Sequence, residues 1–290
     1  MSKINEIKIE SSKYPQRLKE TKDPPDKLFQ KGEWNSELLQ NCLSVVGTRQ
    51  MTKYGKKALR KIVHEISAQG ITIVSGFMYG LDAQAHKAAL EVNGKTIAVM
   101  PCGIEEIQPA HQKNLYKEIL NDNGSIISEL PDNHPPEKWT FVKRNRIVAG
   151  ISQATLVVEG GKDSGTLITA DFAKEYNRQL LAIPCPITSK VSHTPNNLIK
   201  EGAKMVTKPQ DILDFFELKT EKAKTKNEKQ DKQSLSKEEK QIIKLLENEP
   251  LSVDEISNKT GIDSQKLNTT LSKMELSGLI KEESSKFYVN

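Results

Sequence analysis

The sequence predicts an α/β protein with a doubly wound, mainly parallel sheet, followed by a small helical module that ends in a β wing. Three observations predict it. Between residues 41 and 216 short apolar runs alternate with amphipathic stretches. The runs are unbroken rather than every-other-residue, as strands buried on both faces require. After a charged interval, residues 236–290 recover helical periodicity and close on two short alternating segments.

Taken in order, residues 1–40 are polar and irregular, with Pro24-Pro25 and Gly32 marking turns. Leu18, Leu28, Phe29 and Trp34 make this an extension packed on a larger core. The core, 41–216, opens with LSVVG (43–47) as a strand and TKYGKKALRKIVHEISAQG (52–70) as a helix closed by Gly70. ITIVSG (71–76), TIAVM (96–100), SIIS (125–128), ATLVVEG (154–160) and LLAIP (180–184) are the next strands. Helices are expected over 82–92, near 110–121 and over 167–176. Residues 217–235 mix Lys with Glu and hold almost no large apolar side chain, so they read as a linker. In the tail, SKEEKQIIKLLEN, VDEISNKTG and SQKLNTTLSKMELSGLI are three helices and GLIKEESSKFYVN a hairpin, the winged-helix pattern. Its third helix is not strongly basic, because Asp263 and Glu275 balance Lys266 and Lys273. A protein-contact or regulatory role stands beside duplex binding.

Composition bounds the function. The 290 residues are 36% hydrophobic and 28% charged, enough for a sizeable core without disulfides or metal. No apolar run of about 18 residues exists to cross a membrane. The first residues, MSKINEIKIESSKYPQ, lack an apolar signal core. Cys42, Cys102 and Cys185 are far apart and never paired as CxxC, which suits reduced thiols in a cytoplasmic protein. The net charge of +5 permits a polyanion partner without demonstrating one.

Right-handed crossovers bring every post-strand loop to one sheet edge, where open parallel sheets bind ligands. The loops to be considered together are Gly47-Thr48-Arg49, Ser75-Gly76, Cys102-Gly103, Ser128-Glu129 and Gly160 to Thr166. Ser164-Gly165-Thr166 has the character of a phosphate site, with free amides, hydroxyls and a helix N-terminus behind them. Gly47-Thr48-Arg49 adds a guanidinium that can grip phosphate. Neither loop is a Walker A or a spaced GxGxxG, which disfavours an ATPase or a nicotinamide dehydrogenase. The alternative is that these glycines only make tight turns.

HPPEKWTFVKRNRIVAG (134–150) sets Lys138, Lys143, Arg144 and Arg146 beside Trp139 and Phe141, with Asn145 between the arginines. Cations interleaved with rings suit single-stranded nucleic acid, where cations follow phosphates and rings stack on unpaired bases. The alternative is a solvated basic helix start whose rings enter the core, with Arg144 or Arg146 the structural partner of Glu129 or Glu159. Asp82 and His86 in GLDAQAH could pair as an oriented base, but an Asp at a helix start is more often a cap. No GxSxG, no HExxH and no metal-ligand spacing occurs, and His64, His111, His134 and His193 have no company that suggests chemistry.

GTRQMTKYG, VSGFMYGLDAQAHKAAL, TIAVMPCGIEEIQP, ISELPDNHPP, FVKRNRIVAG, SGTLITADFA and NNLIKEGA follow one another in an order that resembles the DNA-processing protein A (DprA, or Smf) family. The resemblance covers about residues 14–216, and the tail looks like that family's winged-helix module. It implies a Rossmann-like core that binds and protects incoming single-stranded DNA and dimerises. It also implies loading of RecA recombinase in natural transformation, with no cofactor and no catalytic activity. It places DNA contacts at Arg49 and along Lys138–Phe141 and Lys143–Arg146. The sequence departs from the family pattern at Phe77-Met78-Tyr79, Gln108, Val142, Cys185 and Pro195. Two rivals come from other classes. One is a phosphoribohydrolase of the cytokinin-activating type, whose PGGxGTxxE loop is not reproduced around Thr166. The other is a nucleotide sensor whose winged helix regulates transcription.

Overall fold

The computed structural model describes residues 3–122, 124–218, 236–246, 249–283 and 285–289. The chain forms two compact units, 1–220 and 221–290. From residue 219 onward the expected linker lies outside the described residues.

The first unit is built on one nine-stranded sheet. Its strands are β1 (Asn5–Lys8), β2 (Lys27–Gly32), β3 (Cys42–Val46), β4 (Thr72–Gly76), β5 (Thr96–Val99), β6 (Ser125–Ser128), β7 (Ala154–Val157), β8 (Gln179–Ala182) and β9 (Lys204–Met205). They lie in the order β1-β2-β6-β5-β4-β3-β7-β8-β9. From β6 through β9 every pairing is parallel. The doubly wound expectation is borne out.

One expectation is corrected. Residues 1–40 are not irregular: β1 and β2 form an antiparallel hairpin whose second strand pairs antiparallel with β6. Two short helices, α1 (Gln16–Lys19) and α2 (Ser36–Gln40), accompany them. The polar look of KLFQKG hides a buried strand, because Lys31 is 6% exposed and its ammonium is paired with Glu105.

Helices cover both faces. On one side α3 (Lys53–Ala68) and α4 (Leu81–Leu90) pack Leu59, Ile62, Val63, Ile66, Ala85 and Ala89 against Leu43, Val45, Ile73 and Leu156. On the other, α6 (Lys138–Ile151) and α7 (Gly165–Glu175) set Ile147, Val148, Ala170 and Ala173 against Val46, Val74, Val99 and Val157. Consecutive residues Val45 and Val46 therefore enter different cores, as pleat alternation requires. Each such side chain contributes about 1.5–3 kcal/mol on full burial. A third cluster joins α5 (Lys113–Asn121) to Ala98, Met100 and Ile126. The unit closes with α8 (His193–Lys200) and α9 (Gln210–Leu213).

Local sequence sets the boundaries. Thr52 caps α3 by accepting from the Gly55 amide at 3.0 Å, and Gly70 reverses the chain after it at φ +87°. Gly47 lets α4 approach β3, since a Cβ there would stand 2.1 Å from a Leu81 methyl.

The second unit has α10 (Lys237–Leu246), α11 (Val253–Thr260), α12 (Ser264–Leu276) and the antiparallel pair β10 (Ile280–Glu283) and β11 (Lys286–Val289). Ile242, Leu246, Ile256, Leu267, Leu271 and Phe287 form its core. Ser252 and Glu255 make the capping box of α11, and Gly261 ends that helix in the left-handed region. Lys266 and Lys273 of α12 pair with Glu238 and Glu239 of α10.

Candidate nucleic-acid interface

Strand order reverses at β3, whose neighbours are β4 on one side and β7 on the other. At this switch point the loops leaving β3 and β7 separate, and a cleft of about 620 Å³ opens between them. Its walls are the loop after β3, the loop after β4, one face of α6 and the start of α7.

The loop after β3 is fixed at its root. The Thr48 amide donates to the Glu159 carbonyl at 2.9 Å, and the Leu81 amide donates to the Thr48 carbonyl at 3.2 Å. Glu159, 1% exposed, accepts from the Thr52 amide at 2.9 Å and from its hydroxyl, which ties the end of β7 to the start of α3. Arg49 is left exposed between two aromatic side chains. Its guanidinium carbon lies 5.7 Å from the Tyr79 ring centre and 5.6 Å from that of Phe141. Gly80, at φ +87°, brings the α4 start against Arg49, where a Cβ would stand 2.5 Å from the Arg49 carbonyl oxygen.

Helical spacing sorts the basic stretch into two faces. Lys138, Phe141, Val142, Asn145 and Val148, at three- and four-residue intervals, line the cleft. Trp139, Lys143 and Arg146 point elsewhere: Lys143 and Arg146 toward Glu129, and Trp139 toward Glu137, to which its indole N–H donates at 3.0 Å. Lys143 pairs with Glu129 at 3.1 Å and lies 6.0 Å from the Trp139 ring centre. Arg146 is 3% exposed and ion-paired with Glu129 and Asp23, so the structural alternative describes it. Arg144 is buried at the cleft floor, donating to the Val99 carbonyl and, at 3.2 Å, to Asn145. Gly76 makes room for it: a Cβ there would stand 2.5 Å from both Arg144 terminal nitrogens and from Asp82 Oδ2.

The opposite wall is the start of α7. Ser164 caps it, accepting from the Thr166 amide at 3.2 Å and donating to the Thr166 hydroxyl at 2.8 Å. Gly165 is exposed, and a Cβ there would meet nothing within 4 Å. No acidic residue occupies the first turn, and the positive end of an eleven-residue helix faces the cleft.

Of the predicted residues, Gly47, Thr48, Arg49, Lys138, Phe141, Arg144, Asn145, Ser164, Gly165 and Thr166 meet in this cleft. Trp139, Lys143 and Arg146 do not line it. Tyr79, Met78, Gln50, Ile168 and Thr169 do, though sequence reasoning missed them. Tyr79 carried one signal, its place among the departures from the family pattern.

One carboxylate, Asp82, lines the cleft. Burial raises its pKa to about 6, opposed mainly by the Arg144 guanidinium. Its carboxylate accepts from the Met78 amide rather than from amides of its own helix. His86 is fully buried; its nitrogens meet the Thr96 hydroxyl at 2.7 Å and the Gly76 carbonyl at 3.0 Å, and burial lowers its pKa to about 4. Asp82 and His86 thus serve different partners and form no dyad. Among the described residues no group of three or more His, Cys, Asp or Glu could hold a metal ion, and no helix is long and apolar enough to cross a membrane.

The fold and cleft define a Rossmann-like α/β protein with a ring-lined groove at its switch point, bordered by Arg49 and the start of α7. The chain belongs to the DNA recombination-mediator protein A family, whose model matches residues 5–217; a DprA winged-helix domain model matches residues 226–284. Protein Smf of Escherichia coli (strain K12) is 36% identical over 278 residues, covering 94% of this chain and 74% of that protein. DNA processing protein DprA of Streptococcus pneumoniae (strain ATCC BAA-255 / R6) is 41% identical over 205 residues, 70% of this chain and 71% of that one. The X-ray structure of S. pneumoniae DprA superposes with a TM-score of 0.67 at 38% identity, covering 73% and 74% of the two chains. DNA processing protein A of Helicobacter pylori, solved for its single-stranded DNA binding mode, gives a TM-score of 0.63 at 28% identity, covering 74% and 98%.

Proposed function

We infer that the cleft holds a single DNA strand, its phosphates on Arg49, Lys138 and the Gly165 amide and its bases against Tyr79 and Phe141. The observation that carries this reading is the placement of Arg49 against two aromatic rings in a cleft whose other wall is a helix N-terminus without acidic residues in its first turn. A duplex hides its base faces, so this combination favours an unpaired strand. The single-stranded DNA binding described for the H. pylori protein supports it. The protein binds and protects the strand without turning it over. As the family relationship implies, a cytoplasmic homodimer passes the strand to RecA recombinase during natural transformation.

Fluorescence anisotropy with labelled oligo-dT, challenged by duplex DNA and by mononucleotides, tests the binding step. Tight, salt-sensitive binding resisted by neither competitor class at equal nucleotide concentration is expected. Absence of binding in dilute buffer, or release of free base from a nucleoside monophosphate, would overturn it. Sedimentation with and without RecA tests the homodimer and the transfer step.

A further inference from the structure

A second groove lies on the outer face of α3. Tyr54, Lys57, Ala58 and Lys61 recur at helical spacing and line a groove of about 300 Å³. The other wall is Ile183 and Pro184 at the end of β8 and Val206 after β9. Tyr54 is 42% exposed, and its hydroxyl donates to the Pro184 carbonyl at 2.6 Å, which holds the ring across the mouth of the groove.

The charge is one-sided. Lys53, Lys56, Lys57, Arg60 and Lys61 are all exposed on three turns of helix. Arg60 alone among them has an acidic partner, Glu91 at 2.9 Å. The four lysines make no ion pair among the described residues. Such a run of like charge repels itself in the absence of a polyanion.

The surface continues from the cleft. Arg49 precedes Lys53 by four residues, at most about 14 Å of chain, and Lys61 lies about 12 Å further along the helix. We propose that this groove is a second subsite for the same DNA strand as it leaves the cleft, with Lys57 and Lys61 on phosphates and a base against Tyr54. The proposal rests on the reading of the cleft as the single-strand site.

Binding of short and long oligo-dT to the full chain separates the two. Lys57→Gln with Lys61→Gln should weaken a dT20 complex about tenfold and reduce its salt slope by about 1.4, since two single-strand phosphates lose their partners. A dT6 oligomer, short enough for the cleft alone, should bind as before. Tyr54→Ala should weaken dT20 without changing the slope. Unchanged dT20 affinity in both variants, or equal losses with dT6 and dT20, would overturn the subsite. If dT6 binding instead survives Arg49→Ala, the reading of the cleft itself fails.

Discussion

Arg146 and Glu129 form the partly buried ion pair that anchors α6 to the end of β6. Arg146 Nη2 donates to Glu129 Oε1 at 2.6 Å, and Asp23 stands 3.3 Å from Arg146 Nε. Lys143 shares the carboxylate from the same helix. Two neighbouring arginines thus have different work: Arg144 floors the cleft, while Arg146 holds the helix that carries Lys138 and Phe141.

Removing one partner of such a pair leaves the other charge uncompensated. Arg146→Ala should lower the unfolding free energy by about 2–4 kcal/mol. The lower end is favoured because Lys143 remains on Glu129. Urea denaturation measures the loss; oligo-dT affinity at temperatures where the variant is folded should change less than twofold.

Arg49 and Phe141 touch, yet they should fail differently. Arg49→Ala should cost about 1–3 kcal/mol of oligo-dT affinity and reduce the salt slope by about 0.7. Phe141→Ala should cost about 1–3 kcal/mol as well, with the slope intact, because stacking releases no counterion. Titrations at several salt concentrations distinguish them.

Asp82 and His86, four residues apart on α4, push acid stability in opposite directions. Burial raises Asp82 to about 6, above its unfolded value, so its contribution is present at low pH and is lost as pH rises toward 6. Burial lowers His86 to about 4, so its contribution is present above its unfolded value near 6.5 and is lost as pH falls toward 4. Between pH 4 and 6 the two slopes oppose each other. Asp82→Asn should therefore uncover a stability that rises with pH over this window, read as a steeper melting-temperature profile than the parent's. Ionised Asp82 also adds negative charge to the cleft, so oligo-dT affinity should weaken as pH passes 6 in the parent and not in the variant.

All three thiols are buried and disfavour the thiolate. Burial lifts Cys42 and Cys185 to about 12 and Cys102 to about 11. A thiol reagent at pH 8 should leave the native chain almost unmodified and label all three positions only at the rate of unfolding. Prompt labelling of one position would show local opening there.

The parallel core was legible because β3 to β8 are apolar on both faces and their helices keep a clear stripe. The stretch that became α6 was legible as chemistry, and as a helix only in the alternative reading of a basic helix start. Its buried positions include Thr140, Arg144 and Arg146, so no apolar stripe marks it. Once its helical period is known, the split between the Lys138–Phe141–Asn145 face and the Trp139–Lys143–Arg146 face follows. The N-terminal hairpin was hidden by Lys31, whose burial depends on a carboxylate 74 residues away. Tyr79 was missed because an aromatic in a post-strand loop gives no local sign that Arg49 will come to rest over its ring.

That hairpin has a practical consequence. Through Phe29 to Gly32 it satisfies the outer backbone groups of β6, a strand whose Ile126 and Ile127 are fully buried. A fragment trimmed to begin at residue 41 would keep every residue of the cleft yet bare a raw, sticky margin of β6, and such margins recruit one another. Shortened versions of this protein should therefore clump before they lose their grip on DNA.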